Sequence, residues 1–208
     1  MNTSSFHKIF TNSCLFFVLF YSTTSFSLFD AQLFAGRSWY SSETDGNRNG
    51  AAHNVVGLAG HVDPLPLIPV SFGLMLTKTD PLARDQVDGI DSDSIISIGI
   101  DVMGWLPFVP VITPYGRFTV LVYGKTGYKS KDPDTKVEFD AGEGHIFSLG
   151  IKYSILPLFD LFAELGKGIT LTKITECKIG ENSCLNDNLD NKRAANHDRL
   201  LLGIQTGI

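Results

Sequence analysis

Along most of the chain the hydrophobic residues recur at every second position, in segments of about ten residues, the period that alternates side chains across a β-strand. Residues 70–78 show it most cleanly: Val70, Phe72, Leu74 and Leu76 share one face, and Ser71, Gly73, Met75 and Thr77 the other. The same alternation predicts strands over residues 31–40, 53–62, 94–104, 114–124, 144–154, 159–169 and 199–208. Ile96, Ile98, Ile100 and Val102 oppose Ser97, Gly99, Asp101 and Met103. Phe118, Val120 and Val122 oppose Tyr115, Arg117, Thr119 and Tyr123; Leu200, Leu202 and Ile204 oppose Leu201, Gly203 and Gln205. In the first segment the period is blurred by Arg37 beside Leu33 and Ala35.

The connections alternate in length. Residues 41–52, 79–93, 125–143 and 170–197 read as long polar loops. Residues 63–67, 105–113 and 155–158 are short corners containing prolines, which fix φ and cannot extend a hydrogen-bonded ladder. Eight strands with this rhythm put both chain ends on the short-turn side of an all-β, eight-stranded antiparallel up-and-down transmembrane β-barrel. Residues 199–208, with their apolar and small-polar faces, are expected to close the ring against residues 31–40.

A soluble barrel would carry the same two faces, turned inside out. The polar face decides between them. It holds Gly57, Gly73, Gly99, Gly150, Gly166, Gly203 and Gly207 with isolated charges, a poor composition for a strand face in water. In a narrow interior, glycine makes room for larger neighbours. The charges on that face, Asp101, Arg117, Lys152, Asp160 and Glu164, are of both signs and are expected to neutralise one another in the lumen. Eight strands leave an interior that side chains fill, which disfavours an open pore. Trp105, Phe108, Tyr153 and Phe159 near the short corners, and Trp39, Tyr40 and Tyr123 near the long connections, suggest two interfacial belts.

The N-terminus fits export. Lys8, the apolar run 14–21 and the small-x-small pattern Ser25-Phe26-Ser27 read as a signal peptide over residues 1–27. The apolar run is far short of the roughly 20 residues of a spanning helix. Residues 28–208 then form the barrel domain, 208 − 27 = 181 residues, with 16 basic against 22 acidic side chains after loss of Lys8. A net charge of 16 − 22 = −6 offers nothing to nucleic acid. Cys177 and Cys184 lie in a polar, Gly- and Asn-containing stretch without a histidine at ligand spacing. In an oxidising compartment, that makes a local disulfide a better reading than a zinc site.

The run 114–118 (PYGRF), the run 148–153 (SLGIKY), the run 162–166 (FAELG) and the terminal LLLGIQTGI resemble the small OmpA/OmpX-like outer-membrane β-barrel proteins of Gram-negative bacteria. The resemblance spans residues 31–208. It implies residence in the bacterial outer membrane among lipid and lipopolysaccharide, and an unnamed extracellular ligand. It also implies recognition of the C-terminal strand by the outer-membrane assembly machinery, although members of the family usually end in Phe or Trp where this chain has Ile208.

Two stretches carry residues with candidate chemistry. Barrel-type lipid A deacylases resemble one another in a His-x-Ser pair on one strand face. Here His145 and Ser148, with Glu164 on the next strand, are spaced by three and fall on opposite faces. The carboxylate-rich run 85–93 lacks EF-hand spacing and reads as a solvated loop. No catalytic residue, cofactor or metal is expected. The expected role is structural or surface-interacting through the long connections, with a small pore lined by Asp101, Arg117, Lys152 and Glu164 as the alternative.

Overall fold

The structure, a computed structural model, describes residues 28–44, 47–64, 68–81, 90–106, 111–131, 134–156, 158–184 and 193–207. The signal peptide expected at 1–27, Phe108, Ile208 and most of the acidic run 85–93 lie outside the described residues. The strands are β1 (Phe29–Thr44), β2 (Asn47–Val62), β3 (Val70–Pro81), β4 (Ile90–Ser92), β5 (Ile95–Trp105), β6 (Ile112–Lys131), β7 (Asp134–Leu156), β8 (Phe159–Ile179), β9 (Asn182–Ser183) and β10 (Arg193–Gly207). Eight of them pair antiparallel in the order β10-β1-β2-β3-β5-β6-β7-β8, and β8 pairs back onto β10, so the sheet is a closed ring. The short β4 and β9 attach to β6 and β8. Closure leaves no unpaired edge in the spanning region, as hydrocarbon surroundings demand. The seam runs from Asp30 opposite Gly207 to Ser41 opposite Asn196, which sets the register of the blurred first segment.

The alternation places side chains as expected. Leu74 is 61% exposed and its neighbour Met75 1%. Leu58, Phe72, Ile100, Phe118, Leu149, Leu165 and Leu202 form part of a continuous apolar exterior. The lumen is packed around Phe34, Val55, Ala59, Met75, Met103, Tyr115, Phe162 and Leu201. Large interior side chains face a glycine directly across the ladder: Phe34 opposite Gly57, His61 opposite Gly73, Tyr115 opposite Gly150, Phe162 opposite Gly203 and Arg199 opposite Gly166. A Cβ on Gly150 would collide with the Tyr115 ring, so the glycines are the space the rings occupy.

Several expectations are corrected. Tyr123 points outward, because Ile98 pairs with Tyr123 but Gly99 with Leu121. This bulge inserts one residue after Leu121, which keeps its inward place, and shifts the alternation beyond it, so that Gly124 faces inward. Tyr40 turns inward against His53 and His197, at ring separations of 5.0 and 5.1 Å, and Trp105 packs against the core. Trp39, Tyr153 and Phe159 remain exposed.

The largest correction concerns the long connections. Residues 41–52 and 125–143 are mostly strand: β1 and β2 pair up to Thr44 opposite Asn47, and β6 and β7 up to Lys131 opposite Asp134. Within 170–197, β8 continues to Ile179 before a turn through Gly180, and β10 begins at Arg193. Ladder hydrogen bonds continue after the apolar face has ended. The wall is therefore uneven: β6, β7 and β8 have 20, 23 and 21 residues, whereas β3 and β5 have 12 and 11.

Candidate functional site

Two regions concentrate chemistry, the lumen and the outward extension of β6, β7 and β8. In the lumen, β6 positions Arg117 between two acids, with Nη1 3.2 Å from Glu164 Oε2 and Nε 3.9 Å from Asp101 Oδ2. Glu164, from β8, is held on its other oxygen by Arg199 Nη2 at 2.7 Å, and Tyr115 Oη donates to it at 3.1 Å. Arg199 Nη2 also donates to Ser148 Oγ at 3.0 Å. Asp101 is shared with His61 Nε2 at 3.3 Å, and Arg117 donates to Gln32 Oε1, whose amide in turn donates to Gln205 at 2.8 Å. These side chains come from seven strands, so the network braces the whole ring. Its charges are matched because a lone buried charge would be strongly destabilising.

Of the five expected interior charges, Asp101, Arg117 and Glu164 meet in this network. Lys152 is buried but sits away from it, with Nζ 5.5 Å from the Trp105 ring centre and 5.4 Å from that of Tyr115. Asp160 is half-buried near the inward rim and contributes negative charge to Lys152 together with Asp30 and Asp63. Gln205, expected on the inner face, joins the network; Arg199, His61 and Gln32 complete it and were not singled out from the sequence. Arg199 shares its strand face with Leu201 and Gln205, which is the signal that identifies it. Above Arg199 lies a cavity of about 100 Å³ whose lining includes Tyr40, Thr77, Thr79, Thr170 and His197. Val55, Leu121 and Ile146 line it as well, so it mixes hydroxyls with apolar surface.

His145 is exposed on the exterior, 6.1 Å from the Phe118 ring, while Ser148 and Glu164 are interior. The three do not converge. Among the described residues no group of His, Cys, Asp or Glu is arranged to hold a metal.

On the outward extension one face carries a ladder of charges. Glu138 lies 2.9 Å from Lys125 Nζ and 2.6 Å from Lys136 Nζ; Glu176 lies 3.1 Å from Lys136 and also pairs with Lys178. Hydrogen bonds from Lys136 and Lys125 pull the Glu138 carboxyl down to about 2. The other face is apolar, with Val137 buried and the Tyr128 and Phe139 rings 5.9 Å apart. Cys177, opposite Val137, is bridged to Cys184 across a Cα separation of 5.1 Å. The clasp ties the chain just past the end of β8 back onto the wall.

A closed eight-stranded ring with an apolar exterior and a filled polar lumen defines a small β-barrel of the outer-membrane type. No family model matches the chain, and no curated protein does. Among solved structures it is similar to Neisserial surface protein A (NspA), with a TM-score of 0.60 and 15% identity, covering 88% of this chain and 98% of that one. It is also similar to the outer membrane protein OprG from Pseudomonas aeruginosa, at a TM-score of 0.46 and 13% identity over 88% and 97% of the two chains. A third is Ail, the attachment invasion locus protein of Yersinia pestis, at 0.43 and 12% over 85% and 97%. At these identities the likeness is one of fold.

Proposed function

We propose that this protein is a non-enzymatic component of the bacterial outer membrane that uses its barrel as an anchor. The Cys-clasped wall formed by β6, β7 and β8 makes contact outside the cell. One observation carries the reading: the lumen is filled at its waist by the Arg117–Glu164–Arg199 network and the Phe34, Met75, Met103 and Leu201 packing, whereas the three longest strands project outward. Rigid scaffolds that display extended hairpins suit recognition. Lipid and lipopolysaccharide surround the barrel, and the extracellular ligand is read by the wall.

Surface proteolysis of intact cells tests the orientation. Cleavage within 41–52, 79–93, 125–143 or 170–197 is expected; protection of all four segments would refute the outward assignment. The pore reading predicts steady conductance in planar bilayers. The buried, matched state of Arg117, Asp101 and Glu164 favours a silent bilayer instead. Because His145 faces away from Ser148 and Glu164, purified refolded protein is expected to show no ester hydrolysis.

A further inference from the structure

The inward end of the barrel does not have the composition of a surface that meets water. Residues 64–69, 106–112 and 155–159 contain only Pro, Leu, Ile, Phe and Val. Leu106 and Leu158 are 59% and 55% exposed, and Ile68, Val111 and Leu156 are exposed as well. These side chains continue the lipid-facing belt without interruption: Phe159 and Leu161 lead on β8 directly from Leu158 to Leu165.

The backbone of these corners is suited to the same surroundings. Six of the nine prolines fall in them: Pro64, Pro66, Pro69, Pro107, Pro110 and Pro157. Each removes a backbone N–H that hydrocarbon could not satisfy. Donors at the ends of the described strands are bonded to neighbouring corners, Trp105 N–H to the Pro69 carbonyl at 3.0 Å and Ser154 N–H to the Val111 carbonyl at 3.3 Å, or to the residue before β1, Asp63 N–H to the Leu28 carbonyl at 3.3 Å.

Height agrees. The outward apolar run on β3 ends at Lys78, eight residues after Val70, and that on β1 is broken by Arg37, eight residues after Phe29, with the exposed Trp39 beyond it. At about 3.3 Å per residue and a tilt near 40°, eight residues rise only about 20 Å. Outer-membrane barrels carry a band of about 25 Å. The corners supply the difference.

We propose that the described residues of the three short corners, Ile68, Leu106, Val111, Leu156 and Leu158, form a lipid-binding surface, immersed among the glycerol groups and upper acyl chains of the inner-leaflet phospholipids instead of standing in the periplasm. The proposal rests on the outer-membrane placement above. On this view the corners fix the depth of the barrel and leave the long wall fully outside.

Single-tryptophan reporters test it. In a Trp39→Phe/Trp105→Phe background, Leu106→Trp and Leu158→Trp are compared with Leu58→Trp at mid-belt, after refolding into phosphatidylcholine vesicles brominated at shallow or deep chain positions. Folding is checked by heat-modifiable migration. The expected result is loss of Leu106→Trp and Leu158→Trp emission with shallow bromines, at least as large as for Leu58→Trp, and no loss with iodide on both sides of the membrane. Iodide quenching of the corner reporters, with Leu58→Trp still quenched by bromine, would place the corners in water and overturn this proposal alone. Protection from both quenchers would mean that protein covers them and would equally overturn it. If Leu58→Trp also escapes bromine, the membrane placement fails as well. In the unaltered chain, NMR cross-peaks between Leu106 or Leu158 methyls and lipid chain protons give the same answer without substitution; their absence while Leu58 shows them counts against the proposal.

Discussion

The protein builds the same small constellation twice. Glu138 sits between Lys125 and Lys136 on the outward wall, and Glu164 sits between Arg117 and Arg199 in the lumen. Distances are similar, 2.9 and 2.6 Å against 3.2 and 2.7 Å. What differs is water: the Glu138 side chain is partly exposed, and that of Glu164 is sealed in. In solvent, attraction competes with hydration and with the freedom of long side chains, so such pairs contribute little. In the lumen neither charge can be rehydrated, and each holds the others to account for the stability of the ring. Contact geometry is therefore a poor guide to consequence; burial decides.

Substitutions can break that contrast. Glu164→Leu leaves Arg199 without its carboxylate partner and Arg117 with Asp101 alone, and is expected to destabilise the barrel by about 3–5 kcal/mol, read from urea unfolding in detergent micelles. Reducing Cys177–Cys184 is a local change. On the chain-entropy estimate a loop this short accounts for about 2–3 kcal/mol, and the expected outcome is faster proteolysis within 170–197 with an unchanged barrel midpoint. Gly150→Val pushes the Tyr115 ring off its seat and away from Glu164, at a cost of about 1–3 kcal/mol, with a change in tyrosine fluorescence. Glu138→Gln is expected to leave the unfolding midpoint where it is. If its effect equals that of Glu164→Leu, burial is not what separates the two clusters.

A pH titration sharpens the same point. The Glu138 carboxyl is depressed from 4.5 to about 2 by its two lysines. Its contribution is present above the unfolded value of 4.5 and is lost as pH falls towards about 2. Added salt is expected to raise the midpoint of its carboxyl shift, since the cluster is open to solvent.

The sequence exposes the spanning part of this fold because lipid on one side and a packed lumen on the other force a strict alternation. Val70 to Leu76 could be read residue by residue for that reason. Beyond the membrane one face meets water, as at Lys136 and Glu138, and the apolar positions that alternate with them, Val137 and Phe139, are too few to mark a strand among the charges even though the ladder continues. The bulge that turns Tyr123 outward is a single extra residue, invisible to a count of two. In the lumen, Asp101, Arg117 and Glu164 were legible as polar residues on the inner face. Arg199 and His61 carried the same signal, but partner choice across strands depends on register, which local spacing does not state. Asp160 shares that face too, yet lies at the rim, where a half-buried carboxylate needs no guanidinium.

The seam has a consequence for timing. Closing the ring joins Asp30 to Gly207, 207 − 30 = 177 positions apart, so the contact that completes the barrel unites the two ring strands farthest apart in sequence. Until β10 arrives, β1 and β8 each present an open row of amides and carbonyls. Assembly must then wait for β10, and long-range closure of this kind is slow. A chain halted before Arg193 would carry seven of the eight ring strands and no barrel.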